Sequence, residues 1–498
     1  MASPLSYGQC LREIMKAHHI SVQELARKMG YRSATSLVRI LKDQTSVSSI
    51  ERFHRQFRLL FNWLLPPVDI QRLSDSLRYT QLGADRYQLH CAMERLIFQS
   101  DLTPDHYPAL LSYSPALGSL LPHASAPFSS LDQLIQFYSC TSGVEILMIN
   151  TQMQEICSAF SRLVRFSKKA RTIRHFFVLQ DEPSFASDCI ASILPLLSEN
   201  AYEGYYCLPS NQEPYDFLRQ HSLIVVRFAT EAGEVRTHVL VPTAQGQLSI
   251  CSLPGSELFD FCSALTAQLM AHLCPIKSSV MPEADAQGML ELSERYLLEE
   301  SGRSFCALEP DLCLACVHTD ILIDALHDGT GLHLVPGNPL HSRLVEIHNA
   351  RFENMHHKTP PTYFVHSQQA MLRFARTGHL SDHLFGMRDF TPEERIRILT
   401  QILQSCRENP AFHMRFLQEE SRLSEYEFIS FGDLGVQISS AYTDYHAACH
   451  REALVTLSSF TQAFEDYYMH TLLPNHCLSE EASLAFLQSL IDGLNAQA

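Results

Sequence analysis

The segment CLACVHTD brings together the side chain types that most often bind metals or exchange electrons. Cys313 and Cys316 are separated by two residues, and His318 and Asp320 follow closely. A Cys-x-x-Cys pair can supply half of a zinc site or a redox-active dithiol. The sequence has no second Cys-x-x-Cys, and the apolar run predicts a strand whose alternate residues face opposite sides. Buried thiols are the favoured interpretation, so neither a metal site nor a redox cofactor is predicted.

Histidines are concentrated between residues 341 and 357, in or beside a predicted helix. His341 and His348 are seven residues apart on one face, and His356 and His357 follow. A helix that binds a metal needs ligands three or four residues apart with an acid nearby, which HSRLVEIH does not supply. No metal site is predicted here.

The triplet HHK contains a His-x-Lys, at His356 and Lys358, like the one that begins the active-site motif of the phospholipase D superfamily. That motif has an aspartate five residues after the lysine, where this chain has Tyr363, and no second copy occurs. The activity of that superfamily is therefore not expected. Glycine-rich phosphate-binding motifs and Gly-x-Ser-x-Gly are also absent. The sequence predicts no catalytic residues and no cofactor.

The chain length and amino-acid composition are typical of a globular protein of about two to four domains. Of its 498 residues, 46% are hydrophobic and 18% are charged. Fifteen cysteines without framework spacing suggest reduced thiols. The N-terminal stretch lacks the apolar run of a secretory signal, and no run reaches the roughly 18 residues that span a bilayer. We expect a cytoplasmic protein that does not enter a membrane.

Charge is distributed unevenly along the chain. Residues 1–60 hold ten basic and four acidic side chains, whereas the whole chain has a formal net charge of −16. A basic N-terminal head on an acidic remainder suggests that the head faces nucleic acid.

Four short helices are predicted within residues 5–60. The second begins with SVQE, a capping box between Ser21 and Glu24, and ends at Gly30. The third begins near Ser33, and the fourth has a predicted capping box from Ser48 to Glu51. Two helices joined across a glycine-containing turn predict a helix-turn-helix domain.

The stretch ISVQELARKMGYRSATSLVRIL resembles the helix-turn-helix of the Cro/C1 (XRE, lambda-repressor-like) transcriptional regulators. The resemblance rests on Leu25-Ala26, Gly30, Leu37 and Ile40, and covers about the first 60 residues. It departs from the family at Val22, where a glutamine is frequent, and its turn is one residue longer. The resemblance implies double-stranded DNA as a partner and a homodimer as the active form.

The geometry of the third helix selects candidate DNA contacts. Leu37, Ile40 and Leu41 define one face, and Thr35, Arg39 and Lys42 fall opposite, with Ser36 at the flank. Arginine can contact guanine with two hydrogen bonds, and threonine can contact a base edge. Basic residues beside this face suit phosphates. The predicted DNA-binding residues are Lys28, Arg32, Ser33, Thr35, Ser36, Arg39 and Lys42. A protein-interaction helix with a solvated basic face is the alternative.

The rest of the chain predicts a connector and an α/β body. Residues 66–130 read as two helices and a Pro/Ser-rich linker, and residues 131–498 alternate strands with helices. Three short strands within 222–252 predict an antiparallel meander in a mixed sheet. Two segments, RHFFVLQDE (174–182) and FHMRFLQEE (412–420), share several residues. Either the body is internally duplicated, with a division near 280–310, or the similarity arose by chance.

The sequence therefore predicts a multidomain protein with an all-α helix-turn-helix domain at 1–65 followed by an α/β body. The favoured function is sequence-specific DNA binding in transcription regulation, with a body that senses an unknown small-molecule or peptide effector. The alternative is an enzyme of unknown reaction with an appended autoregulatory helix-turn-helix. A homodimer is expected to pair outside the head, through one of the amphipathic helices predicted at 70–100, 256–273 and 452–470.

Overall fold

A computed structural model gives the fold of the chain. It describes residues 5–31, 33–62, 64–98, 131–165, 172–179, 183–197, 202–207, 222–230, 232–242, 248–270, 273–280, 286–329, 339–357, 360–380, 388–418, 426–440 and 451–496. Within these residues the chain forms two compact units, 1–92 and 93–498. No helix among them combines the length and apolar character needed to cross a membrane.

The first unit is built from helices alone. They are α1 (Tyr7–Ala17), α2 (Val22–Lys28), α3 (Thr35–Leu41), α4 (Val47–Phe61), α5 (Pro67–Leu82) and most of α6 (Ala84–Phe98). One core joins α1 to α5, and its members include Leu11, Leu25, Leu37 and Phe53. Ile70 and Leu73 of α5 belong to the same core. The unit therefore extends beyond residue 65, where the sequence predicted that the head ends.

The second unit contains the remaining regular elements. Its helices are α7 (Leu131–Cys140), α8 (Gln154–Arg165), α9 (Pro183–Leu197), α10 (Glu257–Met270), α11 (Ala286–Glu300), α12 (Thr319–Gly329), α13 (Pro339–His357), α14 (Gln368–Thr377), α15 (Pro392–Glu408), α16 (Ser458–Tyr467), a π-helix (Tyr468–His476) and α17 (Glu480–Asn495). Short 3₁₀ turns lie at Leu314–Cys316 and Gly432–Leu434.

Fourteen strands form two mixed sheets among the described residues. The first half of the unit contributes β1 (Ser142–Ile149), β2 (Thr172–Val178), β3 (Tyr202–Cys207), β4 (Leu223–Ala229), β5 (Val235–Pro242), β6 (Leu248–Pro254), β7 (Cys274–Pro275) and β8 (Lys277–Val280). The second half contributes β9 (Phe305–Leu308), β10 (Thr362–His366), β11 (Phe412–Phe416), β12 (Tyr426–Ser430), β13 (Val436–Ser440) and β14 (Arg451–Val455).

The two sheets have the same strand order over six strands. The first runs β6-β5-β4-β1-β2-β3-β7, and the second runs β8-β14-β13-β12-β9-β10-β11. In each, three consecutive strands are parallel, β1 to β3 and β9 to β11, and the other three form an antiparallel meander. The predictions of a mixed-sheet α/β body and of the meander over 222–252 are confirmed.

Each sheet is covered by the helix that follows its meander. In the first sheet, Phe259 of α10 packs with Ile149, Leu223 and Val225. In the second, Phe464 of α16 stacks on Phe428 of β12, with ring centroids 6.1 Å apart. The two halves also meet through a hydrogen bond of 3.4 Å between the hydroxyls of Tyr206 and Thr456.

Two predictions about local structure are wrong. The helix expected over 452–470 begins only at Ser458, because residues 451–455 form β14 and pair with both β13 and β8. The strand expected at CLACVHTD is a 3₁₀ turn followed by α12. The described parts of the similar segments at 174–182 and 412–420 include β2 and β11, which hold different places in their sheets, so the similarity fits the chance echo that the sequence left open.

Candidate functional site

The exposed face of α3 carries the polar residues that the sequence selected. Thr35, Ser36, Arg39 and Lys42 are exposed, and Ser33 is exposed just before the helix. Leu37, Ile40 and Leu41 lie in the core of the first unit on the opposite face. The separation of faces that the spacing predicts is therefore present, with a row of hydroxyl, guanidinium and ammonium groups toward solvent.

Local sequence signals fix how α2 presents α3. The Ser21 hydroxyl accepts a hydrogen bond of 3.1 Å from the Glu24 amide, which caps α2. Gly30 has φ +73° in the connection that follows, a conformation that suits glycine. The connection then leads to α3, which begins at Thr35 rather than at Ser33.

The end of α3 is clamped against α1. Asp43 accepts hydrogen bonds from the Gly8 amide at 2.8 Å and from the Ser6 hydroxyl at 2.5 Å. α1 and α3 approach so closely that a Cβ atom on Gly8 would lie 2.5 Å from the carbonyl oxygen of Ile40. These contacts hold α3 at a defined position against the rest of the core.

The acidic side chains of the head are used internally. Glu24 pairs with Lys28 at 3.3 Å, and Glu13 with Arg72 at 3.0 Å. Asp43 makes the clamp described above, and Glu51 accepts a hydrogen bond from Gln81 at 2.7 Å. Every carboxylate within residues 5–60 therefore has an intramolecular partner.

Most basic side chains of the head have no such partner. Within the described residues, eight exposed lysines and arginines form no ion pair or hydrogen bond: Arg12, Lys16, Arg27, Arg39, Lys42, Arg52, Arg55 and Arg58. Lys28 is the exception among the predicted DNA contacts, since it pairs with Glu24 and lies 5.6 Å from the ring centroid of Phe61. Arg32 lies outside the described residues. Arg27, Arg52 and Arg55 belong to the exposed basic set although the sequence reasoning did not select them.

The start of α4 differs from its prediction. α4 begins at Val47 after Ser46, so the capping box expected from Ser48 to Glu51 is wrong. The Ser46 hydroxyl bonds the hydroxyls of Ser48 at 3.2 Å and Ser49 at 3.0 Å instead of capping the helix. All three serines are exposed and lie between Lys42 and Arg52 in the sequence. Amide groups in the first turn of a helix have no intrahelical acceptor, and the dipole there favours anions.

The Cys-x-x-Cys pair in the second unit consists of two free thiols. Cys316 is buried and Cys313 is partly exposed, at the two ends of the 3₁₀ turn. Burial raises the pKa of both thiols well above the usual value, with the carboxylate of Glu309 adding to the effect. Thiols that remain protonated are weak nucleophiles and weak metal ligands, so this geometry suits a structural role.

Two histidines of α13, His348 and His356, also have structural roles. His348 is buried and lies 2.9 Å from the carbonyl oxygen of Val317. His356 is stacked between Phe352 and Phe412, and its Nδ1 lies 2.7 Å from the Ser405 hydroxyl. This stacking places the histidine of the HHK triplet at the end of a helix and inside the core, while Lys358 lies outside the described residues. No cluster of three or more potential metal ligands occurs in the part of the chain that the structure describes.

Buried polar groups are concentrated where the parallel strands end. Asn150 directly follows β1 with φ +46°, and its side chain oxygen accepts a hydrogen bond from the Val178 amide at 3.4 Å. Thr151 and Gln152, the next two residues, are buried. In the second sheet, Glu309 follows β9 and His366 ends β10, with 3.1 Å between His366 Nδ1 and the Glu309 carbonyl oxygen.

The environment of His366 favours the neutral ring. Its side chain is fully buried, and burial lowers its pKa to about 4. Its Nε2 has no hydrogen-bond partner within the described residues. The sequence gave no signal for these strand-end groups, because Asn150 and His366 lie in no spaced motif.

Comparisons with known proteins do not identify the chain. No family model and no curated protein matches its sequence. The structure aligns with polyphosphate kinase from Porphyromonas gingivalis at 12% identity and a TM-score of 0.24, over 90% of this chain and 64% of that chain. It aligns with phosphatidylserine synthase from Haemophilus influenzae Rd KW20 at 8% identity and a TM-score of 0.26, over 74% of this chain and 91% of that chain. This chain thus spans less than two thirds of the kinase, and at these identities and TM-scores neither similarity assigns a family or a reaction.

Proposed function

We propose that the first unit is a helix-turn-helix domain of the Cro/C1 type that binds double-stranded DNA and makes the chain a transcription regulator. The observation that carries this proposal is the solvent-facing row Thr35, Ser36, Arg39 and Lys42. Around this row, the carboxylates within residues 5–60 are internally paired, whereas Arg39, Lys42 and six other exposed basic side chains of the same range form no ion pair or hydrogen bond. A surface of this kind attracts phosphate and leaves donors available for base edges.

Within this row, Arg39 and Thr35 are assigned to base reading. They are four residues apart and therefore lie one above the other on the exposed face of α3. A helix of this length fits the major groove, where an arginine can donate two hydrogen bonds to a guanine. Ser36 lies at the flank of the same face, where its hydroxyl suits either a base or a phosphate.

Phosphate contacts are assigned to the groups around this row. Lys42 directly follows α3, and the exposed hydroxyls of Ser46, Ser48 and Ser49 lie at the start of α4, where the helix dipole favours an anion. Arg52 lies one turn further along α4. Such contacts position a protein on DNA without reading its sequence.

The test is binding of the full-length protein to duplex DNA of random sequence, measured by fluorescence anisotropy over a range of salt concentrations. Lys42→Ala should weaken binding to all sequences alike and reduce the slope of log K against log salt by about 1. The matched control is Arg343→Ala in the second unit, because the Arg343 guanidinium is exposed but pairs with Glu294 and Glu346. This control should leave the slope unchanged.

Two results would contradict the assignment. Absence of DNA binding by the wild-type protein at low salt would remove the proposed function altogether. Equal losses for Lys42→Ala and Arg343→Ala would show that α3 does not face the phosphates.

For the second unit we propose an internally duplicated α/β body. Supporting this, the six shared strands also agree in their packing: Leu223 of β4 pairs with Ile149, and Phe428 of β12 pairs with Leu308, at corresponding places in the two sheets. Leu223 packs on α10, and Phe428 packs on α16, which are the helices that follow the two meanders. Two unrelated sheets have no reason to repeat both strand order and covering helix.

This body is proposed to sense a small-molecule or peptide effector, and an enzyme of unassigned reaction is the second candidate. Both are favoured by the buried polar groups at the strand ends, since α/β sheets bind ligands beyond the carboxyl ends of their strands. The left-handed backbone of Asn150 is strain of the kind that functional sites retain.

The two candidates differ in what happens to the ligand. To test the two candidates, the protein is incubated with a mixture of cell metabolites and the mixture is followed by NMR. The DNA affinity of the protein is measured alongside. An effector should alter DNA affinity and be recovered unchanged, whereas a substrate should be consumed. An Asn150→Ala variant should lose the response in either case, and a response that persists in this variant would move the site elsewhere.

A further inference from the structure

The strand β6 is an open edge of the first sheet. It stands at the end of the strand order, and β5 is its one neighbour within the described residues. Proteins usually protect such edges with charged side chains, bulges or a covering segment. β6 has the sequence LSICSLP, which contains no charged residue, and it pairs with β5 in one unbroken register from Leu248 to Pro254. This edge is therefore regular enough to accept a further strand.

The outward-facing backbone groups of β6 belong to Ile250 and Ser252. The Gly255 amide donates a hydrogen bond of 3.0 Å to the Val235 carbonyl, and this pair continues the register of β5 with β6. Bonded and non-bonded pairs alternate along an antiparallel ladder, so every second residue counted back from Gly255 bonds to β5. Ile250 and Ser252 lie between those residues. Each of the two therefore presents one N–H and one C=O to the outside of the sheet.

The second sheet shows what occupies the corresponding edge there. The two sheets share the order of six strands, in which β6 of the first sheet corresponds to β14 of the second. The outer side of β14 pairs with β8, which runs antiparallel to it. The occupant is thus a strand of four residues, Lys277–Val280. Among the described residues, β6 leaves open the position that β8 fills on β14.

An exposed aromatic side chain lies beside the open edge. Leu258, in the first turn of α10, packs with Cys251 of β6 and Val239 of β5. Phe261 follows three residues later and therefore falls on the same side of α10. Its side chain is 63% exposed, and it is the one aromatic residue among the strongly exposed apolar side chains of the described chain. A strand added to β6 would lie on this side of α10 and could cover Phe261.

The helix beside the filled edge has a polar residue at the same place. α10 begins three residues after β6 ends, and α16 begins three residues after β14 ends. The third residue of each helix is a buried phenylalanine, Phe259 in α10 and Phe460 in α16. The fifth residue is exposed in both helices, and it is Phe261 in α10 but Gln462 in α16. The apolar residue thus accompanies the open edge, and the polar one accompanies the edge that β8 fills.

These features favour a peptide as the occupant. The outward groups of Ile250 and Ser252 are spaced two residues apart along a strand, a period that another extended backbone matches. Binding of this kind gains affinity from main-chain hydrogen bonds and specificity from the side chains at alternate positions. Since β6 offers no charged partner, the favoured segment is uncharged where it pairs and carries an apolar side chain that contacts Phe261.

We propose that the open edge of β6, with Phe261 beside it, binds an extended peptide segment as an added antiparallel strand. The segment pairs with β6 over about four residues, the length over which β8 pairs with β14. The proposal rests on the proposed function of the body as a sensor, since it names a peptide as the class of effector.

The probe is a display library of random eight-residue peptides, selected on the full-length protein without DNA. Selected peptides are labelled with fluorescein, and their dissociation constants are measured by fluorescence anisotropy. Ser252→Pro removes an outward N–H and keeps the bonds to β5, because an edge strand tolerates proline where its N–H faces solvent. This variant should raise the dissociation constant at least about tenfold. The matched control, Ser252→Ala, keeps the N–H and should bind like the wild type.

A second pair of variants tests the contact with α10. Phe261→Gln introduces the residue type found at the corresponding place of α16 and should weaken peptide binding by about fivefold or more, because an aromatic contact is lost. The matched control is Leu298→Gln on α11, at a side chain that is 73% exposed. This control should leave the dissociation constant unchanged. Selected peptides that bind the Ser252→Pro and Phe261→Gln proteins as tightly as the wild type would place their site elsewhere and overturn the proposal.

Methylation of the peptide backbone gives a readout that does not depend on the stability of a variant. Methylating single amides of a selected peptide should abolish binding at alternate positions only, because alternate N–H groups of the added strand face β6. If thermal unfolding shows that Ser252→Pro is unstable, the methylated peptides decide the question on the wild-type protein. Equal effects at every position, or a library that yields no binding peptide, would overturn the proposal.

Measurements of mass and of DNA affinity separate the other outcomes. A wild-type dimer that Ser252→Pro breaks apart would assign the edge to a second copy and overturn the peptide as its occupant. Peptide binding at β6 that changes DNA affinity supports both this proposal and the proposed function, whereas unchanged DNA affinity refutes the peptide as an effector. Peptide binding at β6 by a protein that binds no DNA supports the edge and refutes DNA binding. DNA binding without any peptide binding refutes the edge alone.

Discussion

Replacing Gly8 by alanine is expected to destabilise the first unit, although alanine is the better helix former. An added Cβ atom would lie 2.5 Å from the carbonyl oxygen of Ile40 and 2.7 Å from that of Leu41. Both are backbone atoms at the end of α3, so they cannot rotate away as a side chain could. α1 must therefore move away from α3, which also lengthens the 2.8 Å hydrogen bond from the Gly8 amide to Asp43.

The magnitude follows from two opposing contributions. Forcing extra atoms into a packed site costs about 1–3 kcal/mol. The higher helix propensity of alanine offsets up to about 1 kcal/mol of this cost. Since both close contacts are with rigid backbone, the strain should dominate, and the free energy of unfolding of the first unit should fall by about 1–2 kcal/mol. With a urea m-value of about 1 kcal/mol/M, the unfolding midpoint should fall by about 1–2 M.

Gly493 provides a control for the same substitution. It also lies in a helix, α17, but an added Cβ atom there would meet no atom within 4 Å. Gly493→Ala should therefore leave the second unit unchanged or stabilise it by up to about 1 kcal/mol. Urea unfolding can separate the two units, because Trp63, the only tryptophan in the sequence, lies in the first and circular dichroism reports on both. A Gly8→Ala protein with a higher midpoint by Trp63 fluorescence would refute the close packing of α1 on α3.

Three further predictions concern the stability and chemistry of buried groups. In the native protein, the Arg351 guanidinium is paired at 2.6 Å with the Glu300 side chain, which is 2% exposed. Glu300→Gln removes this counter-charge and should destabilise the second unit by about 3–5 kcal/mol in urea unfolding. A cost below about 1 kcal/mol would show that water reaches the pair. Stability should also fall with acid, because burial lowers the pKa of several histidines to about 3 or 4 while unfolded histidine titrates near 6.5, so unfolding takes up protons. The histidines concerned are His54, His175, His238, His348 and His366. The urea midpoint should be constant above about pH 6.5 and decrease as the pH falls from there toward 4, and a flat profile between pH 7 and 5 would contradict their burial. Finally, Cys313 and Cys316 should react with thiol reagents at neutral pH far more slowly than the exposed Cys140, since burial keeps the pair protonated; comparable rates in peptide mapping would reopen a redox role.

The first unit was largely predictable because its signals are local. The apolar spacing of Leu25, Leu37 and Ile40 and the glycine at position 30 depend on neighbours within a few residues, and the helices follow them. The exposure of Leu59, Leu60, Leu64 and Val68 was not predictable in the same way. Pro66 and Pro67 interrupt the helical period there, so periodicity does not tell which apolar residues are buried.

The body was predictable in class but not in detail. Alternating strands and helices gave the mixed sheet, and short polar turns gave the meander over 222–252. By contrast, EALV at 452–455 was assigned to a helix although it pairs with β13 and with β8, which is more than 170 residues away in sequence. Long-range pairing of this kind overrides local propensity. Glu309 and His366 come together only through the pairing of β9 with β10, and Asn150 reaches Val178 only through the pairing of β1 with β2, so no sequence motif could reveal these strand-end groups.

The central claim, that α3 reads DNA, is tested most directly by selecting duplexes from a random pool with the full-length protein. The wild type should recover one preferred sequence with a guanine at a fixed position. Arg39→Ala should cost about 1–3 kcal/mol on that sequence and lose the preference at that one base pair, while other positions keep theirs. Recovery of no preferred sequence, or an Arg39→Ala protein with the same preference at every position, would contradict the account.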